Sequence, residues 1–150
     1  VPSTSTEMIL VDATCQARNI GALYGLVLEG PEVPEPTTIP SDFSPSSVIT
    51  CEPDWTDGNA DDTAVWVETH REGDFELVLR AYGEDSEPRD WSCHADQVIP
   101  PTVWLVNKQG NGLRPALPQT ACGAYKFDAI TAIEQLPVTN RSAREVAVTP

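Results

Sequence analysis

The stretch AVWVETHREGDFELVLRAY, residues 64–82, joins a strand pattern directly to a helix pattern. Its first half alternates, which places Val65 and Val67 on one face of a strand and Trp66 and Glu68 on the other. In its second half, four large apolar residues recur at the spacing of an amphipathic helix, namely Phe75, Val78, Leu79 and Tyr82. A strand followed by such a helix indicates an α+β fold.

A return strand is the alternative for residues 75–82, as the second half of a hairpin with the strand before it. We favour the helix because Asp74 stands where an N-cap belongs and Gly83 offers a C-terminal stop. Glu76 and Arg80 also form an i,i+4 pair of opposite charge, which supports a helix and not a strand.

The remaining apolar segments predict a mixed or antiparallel sheet, two short helices and a single α+β domain of residues 7–138. We expect strands near 7–12, 47–52, 63–70, 102–107 and 113–117, and helices near 75–83 and 127–136. Because Pro115 has no N–H group to donate, the last of these strands either lies at a sheet edge or does not pair with another strand.

Three further segments frame this domain. Residues 20–28, IGALYGLVL, fit either a strand or a buried helix, although two glycines weaken the helical option. Residues 1–6 lack a basic or apolar leader and are expected to form a flexible N-terminal stalk of a mature chain. Residues 139–150 are polar and are expected to form a surface C-terminal tail.

The four cysteines, Cys15, Cys51, Cys93 and Cys122, are widely spaced and form no metal-ligand motif. An even number of spread-out cysteines indicates two disulfides, which persist in oxidising compartments. The chain is therefore expected to be secreted or at the cell surface. Of the three possible connectivities we take the sequentially nearest, which links Cys15 to Cys51 and Cys93 to Cys122.

The net charge of −14 arises from 23 acidic and 9 basic residues and narrows the range of partners. So few cations argue against binding to nucleic acid or to anionic lipid, both of which need a dense basic surface. No run of 18 apolar residues is present, so no membrane span is predicted. Between Arg18 and Arg71 lie ten acidic residues and no lysine or arginine, whereas five of the cations lie in the last third of the chain.

An acidic loop is the candidate metal site, because calcium binds six to eight oxygen ligands and this loop is rich in them. Its oxygen-bearing residues are Asp54, Asp57, Asn59, Asp61 and Asp62. The register of an EF-hand is absent, and a tight turn between two strands would use the same residue types. No cofactor is therefore expected, with Ca²⁺ as the one candidate.

No catalytic residue is assigned, because His70 and His94 stand in no H-E-x-x-H motif and no G-x-S-x-G motif exists. Among the tryptophans, Trp66 and Trp104 lie in apolar strands and are expected in the core. The other two lie in polar loops, where exposed aromatic side chains mark contacts, so we predict partner contacts at Trp55 and Trp91.

Several motifs resemble those of a functionally uncharacterised family of secreted proteins and lipoproteins of high-GC Gram-positive bacteria. The likeness covers about residues 48–137 and rests on Cys93, PPTVWLVNKQG at 100–110, PQTACG at 118–123 and a closing helix that ends at Leu136-Pro137. Asn107 stands where that pattern has aspartate, and residues 124–126 lack its usual proline. The resemblance implies export, a Cys93–Cys122 bridge and a cell-envelope setting, and it transfers no active site.

These observations favour a non-enzymatic exported protein of the cell envelope that binds another envelope or secreted protein, or assembles with itself. The alternative is a secreted protease inhibitor, with Pro31–Pro45 and Pro115–Cys122 as the candidate reactive loops, since such inhibitors present rigid, disulfide-braced segments. A hydrolase is the third hypothesis and would need polar groups that converge in a pocket near His70 or His94.

Overall fold

The elements of the fold come from a computed structural model that describes residues 10–54, 63–95 and 98–149. Within these ranges the chain forms a curled, antiparallel sheet of seven strands with three short helices. In chain order the elements are β1 (Val11–Asp12), α1 (Arg18–Leu23), β2 (Leu26–Val27), β3 (Ser47–Asp54), β4 (Thr63–Arg71), α2 (Glu76–Tyr82), β5 (Thr102–Val106), β6 (Asn111–Leu113), α3 (Asp128–Glu134) and β7 (Val138–Val148). The predicted α+β class is confirmed, and the expected stalk at residues 1–6 lies outside the described residues.

The strands follow the order β1-β6-β5-β3-β4-β7-β2 across the sheet, so sequence neighbours β3 and β4 form the central hairpin. This hairpin aligns Val48 with Arg71 and Asp54 with Val65. On its other side β3 pairs with β5, which aligns Cys51 with Thr102. The strand predicted at 63–70 is therefore in the middle of the sheet, where its apolar residues are covered on both faces.

Two apolar clusters cover the two faces of the sheet, because side chains alternate along each strand. The helix-side cluster joins Val48, Val103 and Leu105 to the apolar faces of α2 and α3. The disulfide-side cluster joins Trp66, Trp104, α1 and the Cys15–Cys51 bridge. In β5, Trp104 therefore points away from its neighbours Val103 and Leu105.

Both strand tryptophans are core residues as predicted, with exposed fractions of 2% for Trp66 and 1% for Trp104. Their indole N–H groups donate to neighbouring backbone carbonyls, Trp66 to Cys15 at 3.0 Å and Trp104 to Thr14 at 2.9 Å. The segment that leads to Cys15 is thus fixed against the sheet by two hydrogen bonds as well as by the disulfide.

Both disulfides have the predicted connectivity. Cys15 bonds to Cys51 with a Cα–Cα distance of 5.5 Å, and Cys93 bonds to Cys122 with a Cα–Cα distance of 5.1 Å. The first bridge lies in the disulfide-side cluster, whereas both cysteines of the second are partly exposed.

The two predicted helices are present as α2 and α3, and residues 75–82 do not form the alternative return strand. A cation terminates α3: Arg71 Nη1 donates to the carbonyl oxygens of Glu134 at 3.1 Å and Leu136 at 2.9 Å. Carbonyls at a helix C-terminus lack intrahelical partners, so this arginine from β4 satisfies two of them.

The ambiguous segment at 20–28 contains both a helix, α1, and a strand, β2. Gly25, with a φ of 71°, forms the turn between them, and glycine adopts this conformation without strain. Gly21 is buried in α1, where a Cβ atom would approach the carbonyl oxygen of Leu26 to 2.8 Å. Close packing therefore requires glycine at position 21, although glycine has a low helix propensity.

The strand expected at 113–117 is wrong in position, because β6 spans Asn111–Leu113 and ends before Pro115. The turn that precedes β6 uses Asn107, whose side-chain oxygen accepts the backbone N–H groups of Gln109 at 3.1 Å and Asn111 at 2.9 Å. Asparagine at 107 thus supplies the acceptor that aspartate would supply.

The surface tail expected from residue 139 onward is wrong as well, since this segment is β7, the longest strand of the sheet. It pairs with β4 along the length of that strand and with β2 at its end. Its residues 138–145 are all exposed, so backbone hydrogen bonds hold it and its polar sequence gives no alternation to detect. Among the described residues no helix combines the length and the apolar character that crossing a membrane requires.

Candidate functional site

A cleft of about 460 Å³ opens beside the beginning of β5, and we call it the β5 cleft. It is defined by Tyr24 from the end of α1, Tyr82 from the end of α2, Thr102 and Val103 from β5, and Arg114 and Pro115 from the chain after β6. Its volume falls in the range of about 300–1,000 Å³ that is typical of ligand pockets.

The cleft lies where the chain after β6, at Arg114 and Pro115, no longer pairs with β5. The ladder between the two strands covers Leu105 and Val106 and does not extend to the first residues of β5. Proline has no N–H group to continue this ladder. Instead, residues 114–116 pair with Thr37, which lies in the proline-rich segment 31–45. The Thr37 N–H donates to the Arg114 carbonyl, and the Thr37 carbonyl accepts the Ala116 N–H, both at 2.9 Å.

A buried cation lines the cleft. The side chain of Arg114 is 6% exposed, and Nη1 donates to the carbonyl oxygen of Pro34 at 3.0 Å. Its ion-pair partner among the described residues is Glu35. The Glu35 Oε2 atom lies 4.0 Å from Arg114 Nη1, and the Glu35 side chain is 87% exposed. Burial lowers the pKa of Arg114, while the charge of Glu35 partly opposes this shift. A buried charge with a solvated partner at this distance is poorly compensated.

One residue of the cleft lining, Tyr82, has a hydroxyl group without a partner in the described part of the chain. Tyr82 is 9% exposed, and its Oη atom is buried with no hydrogen-bond partner among the described residues. Burial raises the pKa of this hydroxyl, so it remains protonated at neutral pH. Leaving a buried donor unpaired costs about 1–3 kcal/mol, which makes this group an unusual feature of the folded chain.

The opposite wall is held by a second tyrosine whose hydroxyl is fully engaged. Tyr24 Oη donates to the carbonyl oxygen of Pro100 at 2.6 Å and lies 3.1 Å from the Thr102 hydroxyl. Burial raises the pKa of Tyr24 as well, although the hydrogen bond with Thr102 opposes the shift. These contacts join the end of α1 to the chain that enters β5.

Exposed apolar side chains surround the opening of the cleft. Val98 is 61% exposed, Ile99 52%, Leu23 48% and Tyr125 37%. All four also line the β5 cleft, although they come from three separate parts of the chain. Single exposed apolar residues are ordinary, whereas several gathered around one concave site indicate a binding surface.

The residues predicted to bind calcium are for the most part not described. Asp54 is the last residue of β3, whereas Asp57, Asn59, Asp61 and Asp62 lie outside the described residues. Within the described ranges no group of three or more potential metal ligands occurs. The calcium site therefore stays a prediction.

Of the two predicted contact residues, Trp91 is described and Trp55 lies outside the described residues. Trp91 is 75% exposed, and the guanidinium carbon of Arg89 lies 4.3 Å from its ring centroid. Arg89 Nη1 also donates to the carbonyl oxygens of Cys93 and Ala121, both at 3.0 Å. The indole is thus held over a turn that a disulfide and an arginine stabilise, and its role as a contact stays a prediction.

The described hydrogen-bond partners of the two histidines include no serine, threonine or cysteine side chain. His70 Nε2 bonds to the Glu68 carboxylate, and Arg89 Nη2 donates to His94 Nδ1 at 3.3 Å. Neither histidine lines the β5 cleft.

The charge asymmetry of the sequence is partly compensated across the sheet. β7 aligns Arg144 with Trp66 and Arg141 with Thr69, so two C-terminal cations lie beside the acidic central strands. One carboxylate there remains perturbed: desolvation and repulsion from Glu134 and Asp54 raise the pKa of Glu52, and Arg141 partly offsets the shift.

Comparison with known proteins gives no relative to guide the assignment: no protein-family model matches the sequence, and neither a curated protein nor a solved structure matches it. The resemblance to the envelope family of high-GC Gram-positive bacteria stays a prediction from its motifs.

Sequence reasoning missed the residues that give the β5 cleft its chemistry. Tyr82 was noted only as a member of the apolar stripe of α2, and it does pack in the helix-side cluster. Arg114 carries one sequence signal, since it stands between Leu113 and Pro115 in an otherwise apolar segment. That position indicates burial, but the partner carbonyl of Pro34 is distant in sequence.

Proposed function

We propose that this chain is a non-enzymatic, exported binding protein of the cell envelope whose ligand occupies the β5 cleft. The observation that carries the proposal is the combination, in one concave site, of an apolar opening and the poorly compensated charge of Arg114. Sites of this kind, apolar with few precisely placed polar groups, are typical of ligand recognition. The two disulfides are consistent with an oxidising, extracellular compartment.

Binding suits the polar groups of the cleft better than catalysis does. Burial raises the pKa values of Tyr24 and Tyr82, so both hydroxyls stay protonated near pH 7. General acid–base catalysis works best with a pKa near the operating pH. A guanidinium and a protonated phenol instead form a fixed set of donors.

The test is binding of Nile red, a neutral apolar dye whose fluorescence rises in apolar surroundings. We expect saturable binding of one dye per chain. Ala116 is an exposed residue of the cleft wall, so Ala116→Trp fills the site and should weaken binding by about tenfold or more. Ala143→Trp, on the exposed part of β7, is the matched control and should bind like the wild type. Absence of saturable binding, or equal effects of the two variants, would refute the proposal.

A protease inhibitor remains the second proposal, and one observation favours it. The two proline-rich segments that were candidate reactive loops are joined by a bridge between Thr37 and Pro115, which restrains both at this point. Pre-organisation of this kind lowers the cost of binding a protease. However, the pairing already uses the backbone N–H and carbonyl of Thr37, which a protease would need from a reactive loop. Assays against serine proteases and metalloproteases decide it: inhibition at micromolar concentration supports this proposal, and none removes it.

A further inference from the structure

We propose that the ligand of the β5 cleft is a small amphiphilic monocarboxylate, whose carboxylate pairs with Arg114 and whose apolar tail lies against the exposed residues of the opening. Tyr82 Oη donates a further hydrogen bond to the same ligand. This inference rests on the proposed function, since it assumes that the β5 cleft is the binding site.

The charge of Arg114 calls for an anionic ligand. Its side chain is 6% exposed, and its described hydrogen bond, to the Pro34 carbonyl, uses one of five N–H donors. The carboxylate of Glu35 is 4.0 Å away and 87% exposed, so it stays largely in solvent. A guanidinium matches a carboxylate with two parallel hydrogen bonds, which gives a ligand carboxylate an advantage over this distant partner.

The hydroxyl of Tyr82 calls for an acceptor on the same ligand. It is the one buried tyrosine oxygen of the described residues without a hydrogen-bond partner, and its residue, like Arg114, belongs to the lining of the cleft. A phenylalanine would fill the same space without an unpaired polar group. The hydroxyl therefore destabilises the free protein and becomes satisfied when an acceptor enters.

The rest of the cleft restricts the anion to a single charge and a simple apolar tail. The net charge of −14, with Glu35 at the cleft itself, disfavours phosphate esters and other dianions. Four prolines of the lining, Pro36, Pro100, Pro101 and Pro115, have no backbone N–H groups. Such walls contact an alkyl or aryl chain well but leave the carbonyls of a bound peptide without donors.

Displacement of Nile red from the full chain by three matched ligands tests the inference. Decanoate, decanol and decyl phosphate share a ten-carbon tail and differ in the head group. We expect decanoate to bind at least about tenfold more tightly than either of the others. Decanol has no charge to pair with the guanidinium, and decyl phosphate carries a charge of about −1.5 to −2 at pH 7, which the acidic surroundings disfavour. Equal affinities, or tighter binding of decyl phosphate, would overturn the assignment while leaving Nile red binding, and hence the proposed function, intact.

Two variants locate the head group. Arg114→Met should weaken decanoate about tenfold or more and leave decanol unchanged, with Arg144→Met on exposed β7 as the control that changes neither. If Arg114→Met does not fold, Tyr82→Phe decides. We expect it to raise the melting temperature of the free protein and to weaken decanoate several-fold, with a smaller effect on decanol, whose neutral oxygen is the weaker acceptor. A Tyr82→Phe protein that binds decanoate like the wild type, or that is less stable when free, contradicts the inference.

Discussion

Loss of the Cys15–Cys51 bridge should destabilise the chain more than loss of the Cys93–Cys122 bridge, although both bridges close loops of similar length. Their sequence separations are 36 and 29 residues. In the chain-entropy model these loops correspond to about 3.8 and about 3.6 kcal/mol, so loop closure alone predicts nearly equal effects. Any larger difference must come from the surroundings of the sulfur atoms.

Those surroundings differ strongly between the two bridges. Cys15 and Cys51 are 2% and 0% exposed and pack in the disulfide-side cluster with Trp66 and Trp104. Replacing both by alanine removes two buried sulfur atoms and leaves a cavity, which adds about 1–2 kcal/mol. The total, about 5–6 kcal/mol, is comparable to the whole stability of many domains.

Urea denaturation followed by circular dichroism measures this difference on two double variants, one for each bridge, with both cysteines changed to alanine. We expect the Cys15→Ala/Cys51→Ala protein to be near its unfolding threshold and the Cys93→Ala/Cys122→Ala protein to lose about 3–4 kcal/mol. Mild reduction should also open the partly exposed Cys93–Cys122 bridge first, as detected by alkylation and mass spectrometry. Equal losses in the two variants, or earlier reduction of Cys15–Cys51, would refute the reasoning from burial.

Three further predictions concern stability. Gly30→Ala should lower the free energy of unfolding by about 3 kcal/mol, the upper end of what overpacking costs, because the new Cβ atom would lie 1.7 Å from the Gln16 carbonyl oxygen. Gly83→Ala, whose nearest contact is 3.3 Å, is the control in the same urea experiment. Arg71→Met removes both hydrogen bonds to the end of α3 and should cost about 1–3 kcal/mol, with faster hydrogen exchange in the last turn of that helix. Glu52→Gln should stabilise the chain by about 0.2–1 kcal/mol at pH 7 and not at pH 3.

The sign for Glu52 follows from its raised pKa, which means that the folded chain holds this proton more tightly than the unfolded chain does. The destabilisation caused by the ionised Glu52 side chain is therefore absent below the unfolded pKa and develops as pH rises through the folded pKa. Parallel stability–pH curves for wild type and Glu52→Gln would contradict this account. The prediction for Gly30→Ala is wrong if that variant is as stable as Gly83→Ala. The prediction for Arg71→Met is wrong if hydrogen exchange in the last turn of α3 does not change.

Periodicity in the sequence predicted the central elements of the fold, because burial on one face forces a regular pattern. The stretch at 64–82 is strand β4 followed by helix α2, as its alternation and its helical stripe indicate. In β7 the same reasoning fails, since residues 138–145 are exposed and backbone pairing with β4 holds the strand. It fails in α1 as well, where tertiary contact selects Gly21 against its helix propensity.

The cleft shows why a site can escape sequence reasoning even when the residue that creates it is recognised. Pro115 was expected to limit its strand, and β6 does end before it. The fact that proline interrupts a strand ladder does not tell which residue pairs with the chain afterwards. Here that residue is Thr37, which pairs with Pro115 away from β5. That departure opens the space beside Thr102 and Val103 and buries Arg114 at its wall. The same proline thus marks an interruption of the sheet beside a buried cation in an otherwise apolar segment, which is why the candidate site lies at a break in regular structure.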